Sequence, residues 1–199
     1  MNRFDRLAQE WDSKPQRVKT AMAVADFITS QIKLDEIKML DYGCGTGLLS
    51  FGICEDLKDK KKSVDGLDAS NAMIDVFKDK AERIGYHFNG VNHTFGESDI
   101  PKNGYNLTVS SMTMHHIKDY KEFIKQMAEA TSEYMAIADI ESEDGSFHSD
   151  NFGVEHFGFD KEEIVKECMN YFEDVNIKRV QTMTKDGKEY HIFTVLCKK

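Results

Sequence analysis

The chain has 199 residues, 40% of them hydrophobic and 11% aromatic, enough to bury one substantial core and short enough to form a single domain. Its net charge of -9 leaves no surplus of cations to neutralise a phosphate backbone, so a nucleic-acid partner is disfavoured. Cys44, Cys54, Cys168 and Cys197 form no C-x-x-C pair, no apolar run approaches the roughly 20 residues that span a bilayer, and "MNRFDRLAQEW" lacks the apolar stretch of a signal peptide. A zinc knuckle, a disulfide framework and a membrane partner are therefore not expected, and a reducing cytoplasm is.

Phe4, Leu7, Ala8 and Trp11 recur at helical spacing. After Pro15, suited to a first helical turn, Val18, Ala21, Met22, Ala25, Ile28 and Ile32 continue that period. Two helices, spanning 1–34, thus precede the first strand. "IKMLDYG" then reads as a buried strand, "LLSFGICEDL" as a helix, "SVDGLDAS" as a second strand and "SNAMIDVFKDKAERI" as an amphipathic helix capped by Ser70. The basic run "KDKKK", Lys58 to Lys62, falls where the first of these helices should end and reads as a solvated last turn favoured by the helix dipole.

The alternation continues through "VNHTFG", "YNLTVSS", a helix in "DYKEFIKQMAEAT" and a strand in "YMAIADI". This is the βαβ pattern of a parallel sheet covered by helices on both faces. Residues 141–159, including "ESEDGSFHSDNFGVEHFGF", are too irregular and too long for an ordinary connection, and read as a substrate loop. A helix "DKEEIVKECMNYF" and two strands separated by "TKDGK", whose Asp186-Gly187 suits a hairpin turn, complete 160–199.

The segment "LDYGCGTGLLS" falls where the first strand of such a sheet gives way to its helix, the position at which open parallel sheets bind ligands. Gly43, Gly45 and Gly47 allow close approach to the main chain, and the helix that follows presents N–H groups to an anion. A dinucleotide fingerprint has G-x-G-x-x-G, whereas this turn has G-x-G-x-G and then Leu48. Asp41, two residues before the first glycine, repels a pyrophosphate and attracts an ammonium. Asp68, 21 residues beyond Gly47, stands where an acid accepts hydrogen bonds from ribose hydroxyls. An amino acid joined to a nucleoside satisfies both acids, and S-adenosylmethionine is such a molecule.

At this point "LDYGCGTGLLS" followed by "VDGLDASNAMI" resembles the first two motifs of the class I S-adenosylmethionine-dependent methyltransferases. The likeness covers about residues 35–140, the cofactor-binding core. It implies a Rossmann-like three-layer α/β sandwich with a seven-stranded, mostly parallel sheet, an antiparallel last strand and two N-terminal cap helices. Carried over by position, Gly43, Cys44, Gly45 and Gly47 would follow the methionine portion, Asp68 the ribose, and Ala69 and Met73 the adenine. "GESDIP" is one residue shorter than the family's corresponding segment; Glu97 and Ser98 best match the adenine-contacting pair, with Asp99 a rival. Asn106 replaces the family's acid before the fourth strand.

Ser110 opens "SSMTMHHIKD", which is similar to a segment common in small-molecule members of the family. No Asn/Asp-Pro-Pro-aromatic motif of amino methyltransferases occurs. Methyl transfer mainly requires alignment of donor and acceptor, with a base where the acceptor must lose a proton. His116 is the preferred candidate, followed by His115 and His148. The plain alternative is that one of the paired histidines packs beneath the sheet edge and the other caps a turn. Phe147, Phe152, Phe157 and Phe159 surround His148, Asp150, Glu155 and His156 as a closing pocket would. His148, Asp150 and His156 also have metal-ligand chemistry, but solvated loop groups explain them better and no metal is expected. Phe4 and Trp11 are candidate pocket walls, or core. The expected function is methyl transfer to a small molecule by a monomer or homodimer. The alternatives are a non-catalytic cofactor-binding protein and, on the fold alone, an NAD-dependent oxidoreductase.

Overall fold

A computed structural model describes residues 3–102 and 104–199. Met1, Asn2 at the head of the opening stretch, and Asn103 lie outside the described residues. The N-terminal segment is a short helix α1 (Arg3–Leu7) running into a 3-10 helix (Ala8–Ser13), then α2 (Pro15–Gln31), with Pro15 in its first turn. The expected first helix is thus broken in the middle. Seven strands follow: β1 (Glu36–Tyr42), β2 (Lys61–Asp68), β3 (Phe88–Asn92), β4 (Tyr105–Ser111), β5 (Thr131–Ile140), β6 (Asp174–Lys185) and β7 (Lys188–Lys198). Helices α3 (Leu48–Asp56), α4 (Asn71–Ile84), α5 (Tyr120–Ala130) and α6 (Lys161–Cys168) connect them.

The sheet runs in the order β3-β2-β1-β4-β5-β7-β6. β1 to β5 pair in parallel, while β7 is antiparallel to both β5 and β6. Successive strand residues face opposite layers, so Met39, Val64, Val109 and Ala136 pack with α2, α3 and α4, while Leu40, Leu67, Met135 and Phe193 pack with α5 and α6. This is the expected three-layer sandwich. The strand order reverses between β1 and β4, which opens a crevice at their C-terminal ends.

Two local readings need correction. Lys61 and Lys62 begin β2 instead of ending α3, because α3 stops at Asp56 and a turn intervenes. β3 occupies "FNGVN", not "VNHTFG": its pairing with β2 runs from Val64↔Phe88 to Asp68↔Asn92. Asn106 has a structural task here, its Oδ1 accepting from Lys38 N at 2.8 Å and its Nδ2 donating to Glu36 O at 2.8 Å, which ties β4 to β1. No described helix is long and apolar enough to cross a membrane. Phe193, fully buried on the α5–α6 side, is the natural probe of this core. Phe193→Ala should lower the unfolding free energy by about 3–5 kcal/mol, read as a drop in the urea midpoint.

Candidate functional site

The crevice widens into a cavity of about 900 Å³ whose walls come from β1, the glycine turn, the segments after β2, β3 and β4, all three N-terminal helical elements, the loop after β5 and the β6–β7 hairpin. Its cofactor half is built on backbone conformation. Gly43 (φ +70°) and Gly47 (φ +82°) have left-handed backbones, and a Cβ on them would strike Thr113 and Phe77 at 2.1 and 2.5 Å. Gly43 N and Cys44 N donate to Leu67 O at 2.7 and 3.1 Å, so the turn is held against the end of β2.

The carboxylate of Asp68 accepts from Gly45 N and Ser70 N, both at 2.8 Å. Burial raises its pKa, and these two hydrogen bonds oppose that rise. Ser70 caps α4 as expected, accepting from Met73 N. Asp41 is almost wholly buried, with Oδ2 accepting from Ser50 Oγ at 2.6 Å. Burial pushes its pKa up to about 7, against the pull of the Ser50 hydrogen bond.

Several contributors escaped the sequence reading. Thr46 Oγ1 donates to Asp12 Oδ1 at 2.5 Å, and Lys80 Nζ reaches both Asp12 Oδ2 at 2.7 Å and Thr46 O at 2.6 Å. Ser70 Oγ donates to Asp5 Oδ1 at 2.6 Å. Together they fasten the N-terminal segment over the glycine turn. Arg17 lies 3.6 Å above the Trp11 ring and donates to Trp11 O, with no carboxylate within ion-pair distance among the described residues. Its helical spacing gave no hint of this.

Ala69 and Met73 line the cavity, joined by His93, Thr94, Phe95 and Gly96. Glu97, Ser98 and Asp99 are exposed and do not line it. The early end of β3 is the reason: the chain leaves the sheet at Asn92, so the residues that pass the crevice are those just before Glu97. Ser110 is also outside the lining; it is buried with Oγ unpartnered, and Ser111 takes the wall position because side chains alternate along β4.

In the acceptor half, a 3-10 turn (Met114–His116) brings His115 and His116 to the wall with ring centroids 4.1 Å apart. His148, from the loop, stands 4.9 Å from His115 and 6.0 Å from His116. The buried His115 ring has Nδ1 2.7 Å from Asp139 Oδ1, and its main-chain N donates to Asp139 Oδ2 at 3.1 Å. A carboxylate only accepts, so Nδ1 carries the hydrogen, and in the neutral form of the ring Nε2 is the atom with a lone pair. That Nε2 is buried without a partner, as is Nε2 of His148. His116 Nδ1 faces Gly153 O at 2.6 Å, which fixes the same tautomer. Burial lowers the pKa of His116 and brings His148 down to about 4, so both are neutral near pH 7.

The loop closes on itself through Ser142 N to Phe159 O and Glu143 N to Phe157 O. Glu155 N and His156 N donate to His115 O, and Lys185 Nζ donates to Ser146 O and Phe147 O. Of the four loop phenylalanines only Phe147 lines the cavity; Phe159 enters the core, Phe157 is exposed and Phe152 is 85% exposed. His148, Asp150 and His156 are not brought together, since His156 Nε2 lies against Ile117 O and Lys118 O while Asp150 accepts from Phe152 N. Among the described residues no three His, Cys, Asp or Glu side chains are placed to share a metal ion. Phe4 and Trp11 do line the cavity, Phe4 meeting the His116 ring edge-on at 5.4 Å.

The sheet order, the glycine turn and the acids at the ends of β1 and β2 are those of the class I S-adenosylmethionine-dependent methyltransferase fold. The chain matches the model of the methyltransferase domain over residues 39–133, just under half of its length. It is 26% identical over 174 residues to an uncharacterised methyltransferase of Schizosaccharomyces pombe, covering 77% of this chain and 57% of that one. It is 28% identical over 130 residues to a ubiquinone biosynthesis O-methyltransferase of Coxiella burnetii, covering 63% and 54%. The chain thus spans little more than half the length of these curated relatives.

Among solved structures, magnesium protoporphyrin IX methyltransferase of Synechocystis with bound S-adenosylhomocysteine superposes with a TM-score of 0.66 at 14% identity, over 91% of this chain and 83% of that one. Phosphoethanolamine N-methyltransferase 2 of Haemonchus contortus, in complex with S-adenosylmethionine, gives 0.68 at 11% identity, over 100% and 60%. Neighbours so distant share the fold, and their acceptors differ.

The buried acid of β1 yields a pH signature. The folded chain keeps a proton on Asp41 up to about pH 7, whereas the unfolded chain releases it near the ordinary 3.8. Its favourable contribution to folding is therefore complete at acid pH and is lost as pH rises through about 7. Asp41→Asn should gain stability over the parent progressively from pH 3, below the unfolded value of 3.8, to pH 8, above the folded value of about 7, measured by denaturant unfolding at both pH values.

Proposed function

We propose that the chain binds S-adenosylmethionine in the glycine-turn half of the cavity and transfers its methyl group to a hydroxyl of a small molecule in the histidine half. The observation that carries this reading is His115, whose Nδ1 is held by Asp139 and whose buried Nε2 has no partner among the described residues, in the wall of the same cavity as Asp68 and the glycine turn. The residues suit the cofactor. A Cβ on Gly45 would meet nothing within 4 Å, leaving room along the main chain. Asp41 complements an ammonium, Asp68 accepts from ribose hydroxyls in place of Gly45 N and Ser70 N, and Arg17 supplies a cation for a carboxylate. Ala69, Met73 and Phe95 provide a flat apolar slot for the adenine. When bound, the cofactor supplies an electrophilic methyl group on a sulfonium.

Within this reading the chain's residues align, exclude water and move one proton. The N-terminal segment, fastened by Asp12, Lys80 and Asp5, covers the glycine turn. His115 Nε2 takes the proton of the acceptor hydroxyl while Asp139 holds the ring in orientation and balances the imidazolium that forms. This assigns the base to His115, in place of the His116 preferred on sequence. The acidic net charge and the deep cavity of about 900 Å³ support a small molecule over a nucleic acid, and the shared cavity supports treating 1–199 as one domain. The non-catalytic alternative leaves the His115–Asp139 pair without a task, and an NAD site leaves the buried Asp41 without one.

Calorimetry should show S-adenosylmethionine binding that Asp68→Ala and Arg17→Met each weaken by about ten-fold or more, the loss of charge-assisted hydrogen bonds. No binding at millimolar cofactor would refute the proposal. With an acceptor in hand, His115→Gln and Asp139→Asn should each lower kcat by about 10²- to 10⁴-fold while cofactor affinity stays within about two-fold of the parent. Unchanged kcat in both would remove the base from the mechanism.

A further inference from the structure

The N-terminal segment keeps its place with almost no core of its own. Helix α1 buries no residue and the 3-10 helix after it buries only Ala8, whereas α2 buries six. A segment with so little buried apolar surface opens locally at low cost, so its position over the glycine turn is set by polar contacts. These fall in two groups. Near its start, Asp5 Oδ1 accepts from Ser70 Oγ at 2.6 Å. Near its end, Asp12 Oδ1 accepts from Thr46 Oγ1 at 2.5 Å and Asp12 Oδ2 from Lys80 Nζ at 2.7 Å, while the same ammonium donates to Thr46 O at 2.6 Å. Thr46 is buried in the glycine turn, and Lys80 reaches it from α4.

The residue next to Asp12 is Trp11, and Trp11 is the platform on which Arg17 rests. The guanidinium carbon lies 3.6 Å from the ring centroid, and Nη1 donates to Trp11 O at 3.1 Å. An aromatic face and a carbonyl orient a guanidinium without neutralising it. Of the charges around Arg17, Arg3 opposes the cation and Asp12 favours it, but both oxygens of Asp12 are already engaged by Thr46 and Lys80. Arg17 thus stands in the cavity wall with no carboxylate paired to it among the described residues, on a platform that Asp12 anchors.

We propose that Lys80, Thr46 and Asp12 are positioning residues for Arg17: by holding the end of the N-terminal segment on the glycine turn they keep Trp11 against the guanidinium, which is thereby directed to the carboxylate of the cofactor's amino-acid portion. The inference rests on the S-adenosylmethionine-binding reading above. Its signature is selectivity between ligands. Loosening the Asp12 cluster releases Trp11 and Arg17 and weakens a ligand that carries the amino-acid carboxylate. A ligand with the same nucleoside and thioether but no amino acid keeps its affinity, because the Asp5–Ser70 contact still holds the segment beside Asp68 and Ala69, where the nucleoside lies in that reading.

The test is calorimetry with S-adenosylhomocysteine, which carries the amino acid, and methylthioadenosine, which lacks it. Lys80→Met and Trp11→Leu should each weaken S-adenosylhomocysteine by about ten-fold, the scale of one charge-assisted hydrogen bond, and leave methylthioadenosine within about two-fold of the parent. Lys80→Arg, which keeps a cation with several N–H donors, should recover most of the loss. In an Arg17→Met background, Lys80→Met should add no further loss, because the group it positions is gone. Equal losses for the two ligands, no loss for either, or a Lys80→Met effect that persists in full without Arg17 would each overturn the inference. If the parent binds S-adenosylhomocysteine alone, the Arg17→Met background decides by itself. A parent chain that takes up neither ligand is a different result, and would count against the S-adenosylmethionine-binding reading.

Discussion

The acceptor half of this site hangs on the carboxylate of Asp139. Fully buried at the end of β5, it receives the ring and main-chain N–H groups of His115 and the N–H of Ile140. A polar group so deep is retained when several hydrogen bonds replace its water. Those bonds fix the 3-10 turn after β4 against β5. The same turn then presents His115 O to Glu155 N and His156 N, and through them the loop that brings His148. One carboxylate thereby relates two strands, a turn and a loop that are distant in sequence.

The cofactor half obeys a different constraint. In the proposed reading the main chain there is the binding surface, and the side chains serve mainly to hold it in place. Asp68 spans two N–H groups, Lys80 and Asp12 hold Thr46, and the left-handed glycines clear space that a Cβ would fill. The two ends of the cavity differ in lining: Asp41, Asp68 and Arg17 stand by the glycine turn, and the three imidazoles with Phe4, Phe147 and Arg3 stand at the other end.

Much of the fold could be read from sequence because its signals are periodic. Alternation of strands and helices, Pro15, Ser70 and Asp186-Gly187 each act over a few residues, and each lies where the pattern placed it. The glycine turn and Asp68 were legible for the same reason, since spacing along the chain fixes spacing in the strand–turn–helix unit. What spacing could not supply were contacts between remote segments. Arg17 sits in an ordinary amphipathic helix, and its place over Trp11 depends on how the broken N-terminal helix folds back. Asp139 carried a signal that went unused: like Asp41 and Asp68, it is an acid at the C-terminal end of a central strand. Glu97 and Ser98 were misplaced because a five-residue strand slid toward its N-terminus, and a short strand has too little pattern to fix its own register.

The position of β7 carries a consequence for how the molecule is assembled. Its eleven residues are inserted between β5 and β6, so β5, which bears Asp139, has an open edge until the final hairpin docks. The strands that form the cofactor cradle pair with one another and need nothing from that hairpin. During folding, the part of the sheet that grips the cofactor can close on contacts made within the first two thirds of the chain. The proton-handling part waits for long-range pairing at the end, the slower kind of contact to form. In the proposed reading, the segments assigned to the cofactor and those assigned to the proton thus depend on pairings of different range along the chain.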